Sequence, residues 1–302
     1  MHILARRECN ILRREKGMIQ MINVAVMGYG TVGSGVVELI HTNKDRIARS
    51  AGDSVNVKYI LDVRDFENSP YAELFIKDFA VIENDPEVTI VVETIGAVGV
   101  AQEFTRRALA AGKSVVTSNK EVVANFGTEL LALAEKNGVS YLFEASVGGG
   151  IPVLRSIYVD LASNRISEVN GILNGTTNYI LTRMANEGCT YEEVLKDAQK
   201  LGYAEANPAA DVEGHDACRK ICILAALGFG KHVYPEQVKT EGITHISLDD
   251  VEYADGFGAV IKLIGHAKRE TSGKITASVR PTLVSRDHIL SSVIPVTLSR
   301  HI

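Results

Sequence analysis

Ile22-Asn23-Val24-Ala25-Val26-Met27-Gly28-Tyr29-Gly30-Thr31-Val32-Gly33 decides the fold. An apolar run meets a glycine turn, after which Val32, Val36, Val37, Leu39 and Ile40 recur at helical spacing, so the stretch reads as strand, tight turn and helix. Gly28, Gly30 and Gly33 keep the spacing of a dinucleotide-binding turn. The first permits the turn, the second lets backbone approach a pyrophosphate, and the third lets helix pack on strand. The helix amino terminus adds unpaired amides and the positive end of its dipole, which brings Thr31 and Val32 into the candidate cofactor site. A merely structural glycine turn is the alternative, and the flanking strand and helix weigh against it.

Further along, Val55–Leu61, Val88–Glu93, Ser114–Thr117 and 139–143 read as strands, with helical stretches such as 101–111 and 127–137 between them. Strands that are apolar throughout and alternate with helices imply a parallel sheet covered on both faces, so the first domain is α/β and doubly wound. Near Gly148-Gly149-Gly150-Ile151-Pro152 the pattern changes. Beyond it come long helices at 191–201 and 211–229 and β-like pieces at 166–172 and 274–283. The division expected is an extension at 1–20 that takes no part in the fold, a Rossmann-type dinucleotide-binding domain at 21–150, and an α+β substrate and dimerisation domain at 151–302.

The chain has 302 residues, 46% of them apolar, enough for a full core and two domains. With 32 Lys and Arg against 37 Asp and Glu, both signs interspersed, there is no basic footprint for nucleic acid, and a small-molecule partner is expected. Apolar stretches such as 221–229 fall far short of the roughly 20 residues that a membrane span needs. Four cysteines and no signal-peptide hydrophobic region suit a reducing cytoplasm. The Arg-rich stretch 1–20 carries Glu8 and Glu15, which sit badly with a targeting peptide. A start assigned upstream of Met18 or Met21 is the simpler reading.

Single residues leave choices open. After the second strand, Asp62 suits an adenosine ribose hydroxyl and Arg64 a 2′-phosphate, so NAD and NADP both stand, and either residue also reads as a solvated turn charge. Asp216 and Lys220 lie four apart on a helix and share a face, as pocket groups or as a surface ion pair. His215, Cys218 and Cys222 share a helix side too, but no fourth ligand accompanies them and core packing is the better reading than zinc.

Four blocks carry a resemblance: Thr117-Ser118-Asn119-Lys120, the run from Glu144 to Pro152, the run from Gly171 to Tyr179, and the run from Gly202 to Lys220. In this order they resemble the homoserine dehydrogenase family, and the likeness spans about 22–293. The resemblance implies reversible hydride transfer between a nicotinamide cofactor and homoserine, interconverting it with aspartate 4-semialdehyde. It assigns Lys120 and Lys220 to proton transfer, which suits lysines whose pKa burial or a neighbouring cation can lower. It further implies that Glu205 holds the substrate ammonium, that Asp216 orients substrate, and that Asn174, Gly175 and Thr176 line the same cleft. Thr117 and Lys120 join Arg64 and the glycine turn as expected cofactor contacts. Glu144, with the backbone carbonyls of Val147, Gly149 and Ile151, matches a monovalent-cation site, and such oxygens suit a hard ion like sodium. A glycine-rich hinge with a capping Glu144 is the alternative there. Asn207 stands where the family usually shows Asp, which weakens the match around Glu205.

From about Ile294 the chain departs from the family pattern. The expectation is a frameshift or premature stop, with a natural short form as alternative, leaving out a return segment to the nucleotide domain and a regulatory ACT domain. A homodimer is expected. Two other functions compete: a non-catalytic nucleotide-binding remnant, and another semialdehyde reductase, which lacks a convincing nucleophilic cysteine here.

Overall fold

Strand β1 (Ile22–Met27) forms where the apolar run begins, and Val24, Ala25, Val26 and Met27 are all buried. Burial of successive residues, on both faces of the strand, is what a parallel sheet under helices demands. The computed structural model describes residues 21–294; the extension read at 1–20 and the departure beyond Ile294 lie outside them.

Around β1 stand β2 (Val55–Leu61), β3 (Phe75–Ile76), β4 (Val88–Glu93), β5 (Ser114–Thr117) and β6 (Tyr141–Leu142). Their spatial order is β3-β2-β1-β4-β5-β6, and every neighbouring pair is parallel. Helices α1 (Thr31–Thr42), α2 (Lys44–Ala51), α3 (Phe79–Asn84), α4 (Val98–Ala110) and α5 (Lys120–Lys136) make the connections. This is the doubly wound sheet expected. Strand order reverses between β1 and β4, and their carboxyl ends mark the point where such sheets bind ligands.

Val24 and Val26 of β1, Val57 and Ile60 of β2, and Val37 of α1 form one buried cluster. Each side chain contributes about 1.5–3 kcal/mol on full burial, so the cluster anchors helix to sheet and fixes the turn between them. β3 was not anticipated because two residues cannot display an alternation. β6 is shorter than the 139–143 expected: the Val139 amide donates to Ala134 O (3.0 Å) and finishes α5 instead of opening a strand.

The chain divides into compact units between Ser163 and Asn164, later than the boundary read at 150/151. The reason lies in Glu144, whose two carboxylate oxygens accept the amides of Leu154 and Arg155, each at 2.8 Å. This caps a short helix at Val153–Arg155, which runs on into a wider turn at Ser156–Asp160 and stays with the first unit.

The second unit holds a mixed sheet of β7 (Glu168–Gly171), β8 (Lys239–Thr240), β9 (Ala259–Arg269) and β10 (Ile275–Ser285), in the order β7-β9-β10-β8. Its helices are α6 (Gly175–Glu187), α7 (Tyr191–Lys200), α8 (Ala209–Val212), α9 (His215–Phe229) and α10 (Leu248–Gly256). The helix read over 211–229 is two helices, because Gly214 adopts φ +84° between α8 and α9. Such a backbone favours glycine, and the break turns the head of α9 toward the residues that follow β7. Ile221, Cys222, Leu224 and Ala225 of α9 are buried, and a Cβ on Gly265 of β9 would lie 2.6 Å from Leu173 Cδ1.

Candidate functional site

In the first unit the glycine turn lies at the carboxyl end of β1. Gly28 takes φ +91°, and a Cβ there would meet Thr94 O at 2.8 Å; at Gly33 it would meet Gly28 O at 1.9 Å. Gly30 faces nothing within 4 Å. Two glycines are therefore required by the fold, while the middle one opens onto free space where a phosphate can approach. Ser34 N makes the first intrahelical bond, to Gly30 O, so the amides of Thr31, Val32 and Gly33 have no acceptor within α1. No side chain caps this end and no acidic residue stands in its first turn. The arrangement fits a dinucleotide pyrophosphate.

Asp62, just past β2, accepts four hydrogen bonds on its two oxygens. Tyr29 N (2.7 Å) and Arg64 Nη2 (2.8 Å) reach Oδ2, while Arg64 N (2.9 Å) and Arg64 Nε (3.0 Å) reach Oδ1. The Arg64 guanidinium beside it holds the Asp62 carboxyl well below the usual carboxylate range. No lone pair is left over for a ribose hydroxyl. Arg64 itself is 59% exposed and leans over the Phe66 ring.

Thr117 is buried, and its hydroxyl donates to Glu93 Oε2 at 2.5 Å. That hydroxyl serves the floor beneath the strand ends and is turned away from solvent. Lys120 is half-buried and opens α5, which Asn119 caps by accepting Val122 N at 3.2 Å.

At the expected cation site Glu144 is occupied as the helix cap already described, Val147 is buried and Ile151 is 68% exposed. Gly149 takes φ +59° in the turn between them, and a Cβ on Gly148 would meet Ile151 O at 2.4 Å. Each carboxylate oxygen keeps a second lone pair, so capping and cation binding are compatible. Among the described residues no group of three or more His, Cys, Asp and Glu gathers to hold a metal. Cys218 and Cys222 are buried in the α9 core, with Cys218 Sγ 3.6 Å from Pro235 O.

In the second unit Asn174 precedes α6 and accepts Thr177 N at 2.8 Å, which fixes its side-chain orientation. Its Nδ2 then donates to Asp211 Oδ1 (2.6 Å) and Asp216 Oδ2 (3.0 Å). Lys220 Nζ lies 2.7 Å from Asp216 Oδ2 and donates to Leu173 O at 2.9 Å. The Asp216 and Lys220 side chains are only 9% and 15% exposed, so the pair is not a solvated surface bridge. Gly175 starts α6 at the surface, and Thr176 Oγ1 donates to Tyr203 O (2.8 Å), tying α6 to the loop that carries Glu205. Among the described residues nothing pairs with the exposed Glu205 carboxylate.

Asp211 was missed by sequence reasoning. It lies in the quoted block from Gly202 to Lys220, and read as one turn of a continuous helix it faces away from Asp216; the Gly214 break brings both carboxylates to Asn174.

Two family models match the chain: "Homoserine dehydrogenase, NAD binding domain" over residues 28–144 and "Homoserine dehydrogenase" over 152–298. The homoserine dehydrogenase of Bacillus subtilis is 47% identical over 280 residues, covering 91% of this chain and 64% of that protein. The crystal structure of the Thiobacillus denitrificans enzyme superposes with TM-score 0.86 at 40% identity, covering 91% of this chain and 64% of the other. For the Staphylococcus aureus homoserine dehydrogenase at pH 7.0 the values are 0.80 and 38%, with coverages of 92% and 67%.

Proposed function

We propose, since the chain belongs to the homoserine dehydrogenase family, that it interconverts L-homoserine and L-aspartate 4-semialdehyde in threonine and methionine biosynthesis, using NADP or NAD. The chain spans 64% of the length of the B. subtilis relative, so the activity is argued from its own residues. One observation carries it: Lys220 is fastened by Asp216 and Leu173 inside a cluster that Asn174 and Asp211 complete.

Bound nicotinamide supplies or accepts the hydride, which leaves the proton to the protein. Lys220 uses two acceptors for three possible N–H donors, so one remains for the substrate oxygen. It delivers a proton there as aldehyde becomes alcohol, and its neutral form removes one in the reverse direction. Asp216 and the Leu173 carbonyl hold the amine in line, and Asn174 holds Asp216. Lys120 shares the proton and cofactor work, an assignment supported by the family motif around it. Glu205 receives the substrate ammonium, a charge-assisted contact that fixes the reacting carbon. Gly175 and Thr176 shape the same substrate region.

The glycine turn with the Thr31 and Val32 amides takes the pyrophosphate. Arg64 takes a 2′-phosphate and makes NADP the preferred form, because Asp62 has no acceptor to spare for a ribose hydroxyl. Thr117 contributes through backbone, its hydroxyl being engaged by Glu93. Glu144 with the carbonyls of Val147, Gly149 and Ile151 holds a monovalent cation such as sodium, a structural role. The chain works as a cytoplasmic homodimer; among the described residues no helix is long and apolar enough to cross a membrane, and light scattering would give the mass.

The test is direct. Purified chain with reduced cofactor and aspartate semialdehyde is expected to oxidise the cofactor and release homoserine. A folded chain that binds cofactor and yields no homoserine overturns the assignment.

A further inference from the structure

Glu93 is the last residue of β4, in register with Met27 of β1 on one side and Thr117 of β5 on the other. Its side chain is wholly inaccessible, and no cation pairs with it among the described residues. A carboxyl group in that position costs stability unless donors reach its oxygens. Both oxygens have one: Oε1 accepts the Ile95 amide at 2.7 Å and Oε2 the Thr117 hydroxyl at 2.5 Å. Burial nonetheless pushes the carboxyl above its ordinary range. The fold is carrying an expensive group exactly where strand order reverses.

From there the hydrogen bonds close a ring. Thr117 Oγ1 accepts the Asn119 amide at 2.9 Å, and Asn119 Nδ2 donates at 3.0 Å to the carbonyl of Ile95, the same residue whose amide Glu93 holds. Two ends project from this ring. One is Thr94, whose amide and hydroxyl hold Met27 O, with the same hydroxyl 2.9 Å from Gly28 O, directly beneath the glycine turn. The other is Asn119, the cap of α5, which sets the backbone from which Lys120 projects.

We infer that Glu93 is a positioning residue that locks the loop under the glycine turn to the turn carrying Lys120, so that cofactor affinity and the placement of Lys120 both depend on one buried carboxylate. This rests on the reading of the glycine turn as the cofactor site and of Lys120 as a working residue. A group serving stability alone would be better replaced by an amide, which keeps the shape and avoids burying charge. Glutamine can hold the Ile95 amide on its oxygen only by donating its amide nitrogen to Thr117 Oγ1, which reverses that bond and leaves the buried Thr117 proton without its acceptor.

The experiment compares Glu93→Gln, Thr117→Val and the double variant of the full chain with the parent. Binding of reduced nicotinamide cofactor is read by fluorescence, stability by thermal melting, and local order by amide exchange at Ile95 and Asn119. Glu93→Gln is expected to melt close to the parent, because removal of a buried charge offsets the weakened hydrogen bond, yet to bind cofactor about tenfold more weakly because the two turns are no longer held in register. Thr117→Val leaves the carboxylate in place with one oxygen lacking its donor, so it should melt lower while weakening cofactor binding to a similar degree, and the double variant should bind no worse than the poorer single one. Unchanged affinity in both single variants, or losses that multiply, overturns the inference. Should the parent bind no nicotinamide cofactor, the functional reading fails and amide exchange decides Glu93 separately: faster exchange at Ile95 and Asn119 in Glu93→Gln upholds the lock, and unchanged exchange overturns it.

Discussion

On the proposed reading, the glycine turn after β1 and the polar cluster at the head of α9 prepare for their ligands on opposite terms. The turn works by what is missing: no Cβ at Gly28 or Gly33, no cap on α1, and open space over Gly30. The cluster works by what is present, with Asn174, Asp211, Asp216 and Lys220 each held by another member. Added atoms should therefore damage the first and lost atoms the second. Backbone amides recognise phosphate without regard to the rest of a ligand, whereas a positioned amine and carboxylate select one chemistry.

The largest effect expected comes from adding bulk to the turn. Gly30→Leu should fold with parental stability, since nothing lies within 4 Å of the new Cβ, and lose measurable cofactor binding in a fluorescence titration. Binding at parental strength would move the phosphate site elsewhere. Gly33→Ala makes the complementary case: its Cβ would fall 1.9 Å from Gly28 O, so melting itself should drop.

Removing atoms from the cluster comes next. Lys220→Ala should lower turnover on the order of 10²-fold or more, the usual scale for a lost acid or base. Glu205→Gln should raise KM for homoserine about tenfold with a smaller change in kcat, because one charge-assisted contact is weakened. If kcat falls as far as KM rises, Glu205 is doing more than binding.

The smallest effect belongs to Arg64. Arg64→Ser should weaken NADPH binding severalfold and leave NADH binding unchanged or tighter, because the two Asp62 acceptor sites that the guanidinium fills become free for a ribose hydroxyl; equal losses would remove Arg64 from phosphate recognition. It also bears on acid stability. Asp62 has its folded pKa depressed by Arg64, so its contribution is present above the unfolded carboxylate range and fades as pH falls from about 5 downward. Melting of the variant should depend less on pH over that acidic range than melting of the parent.

The two regions also differed in how far residues alone disclosed them. The turn was legible because its elements are local: apolar strand, three spaced glycines and an amphipathic helix lie within about twenty residues. Strand β9 was not anticipated, since Ala259–Arg269 lacks a two-residue alternation and contains Lys262, whose charge is ordinarily left in solvent. Lys262 is buried because Asn178 Oδ1 (2.8 Å), Thr182 Oγ1 (3.1 Å) and Val293 O (2.8 Å) accept from it, and these partners come from far away in the chain. Asp211 was missed for a related reason: a single left-handed glycine at 214 redirects it, and helical periodicity carries no sign of that. Spacing did pair Asp216 with Lys220 but left open a surface bridge, which only their burial excludes. The engagement of Asp62 by Tyr29 depended likewise on a tertiary contact.

The separation of tasks between the two regions is tested most directly by titrating reduced cofactor into the parent and Lys220→Ala, with turnover of aspartate semialdehyde measured on the same two samples. The expected result is an unchanged dissociation constant alongside turnover lowered by at least about 10²-fold. A dissociation constant that rises in step with the lost turnover, or turnover that survives the substitution, would contradict it.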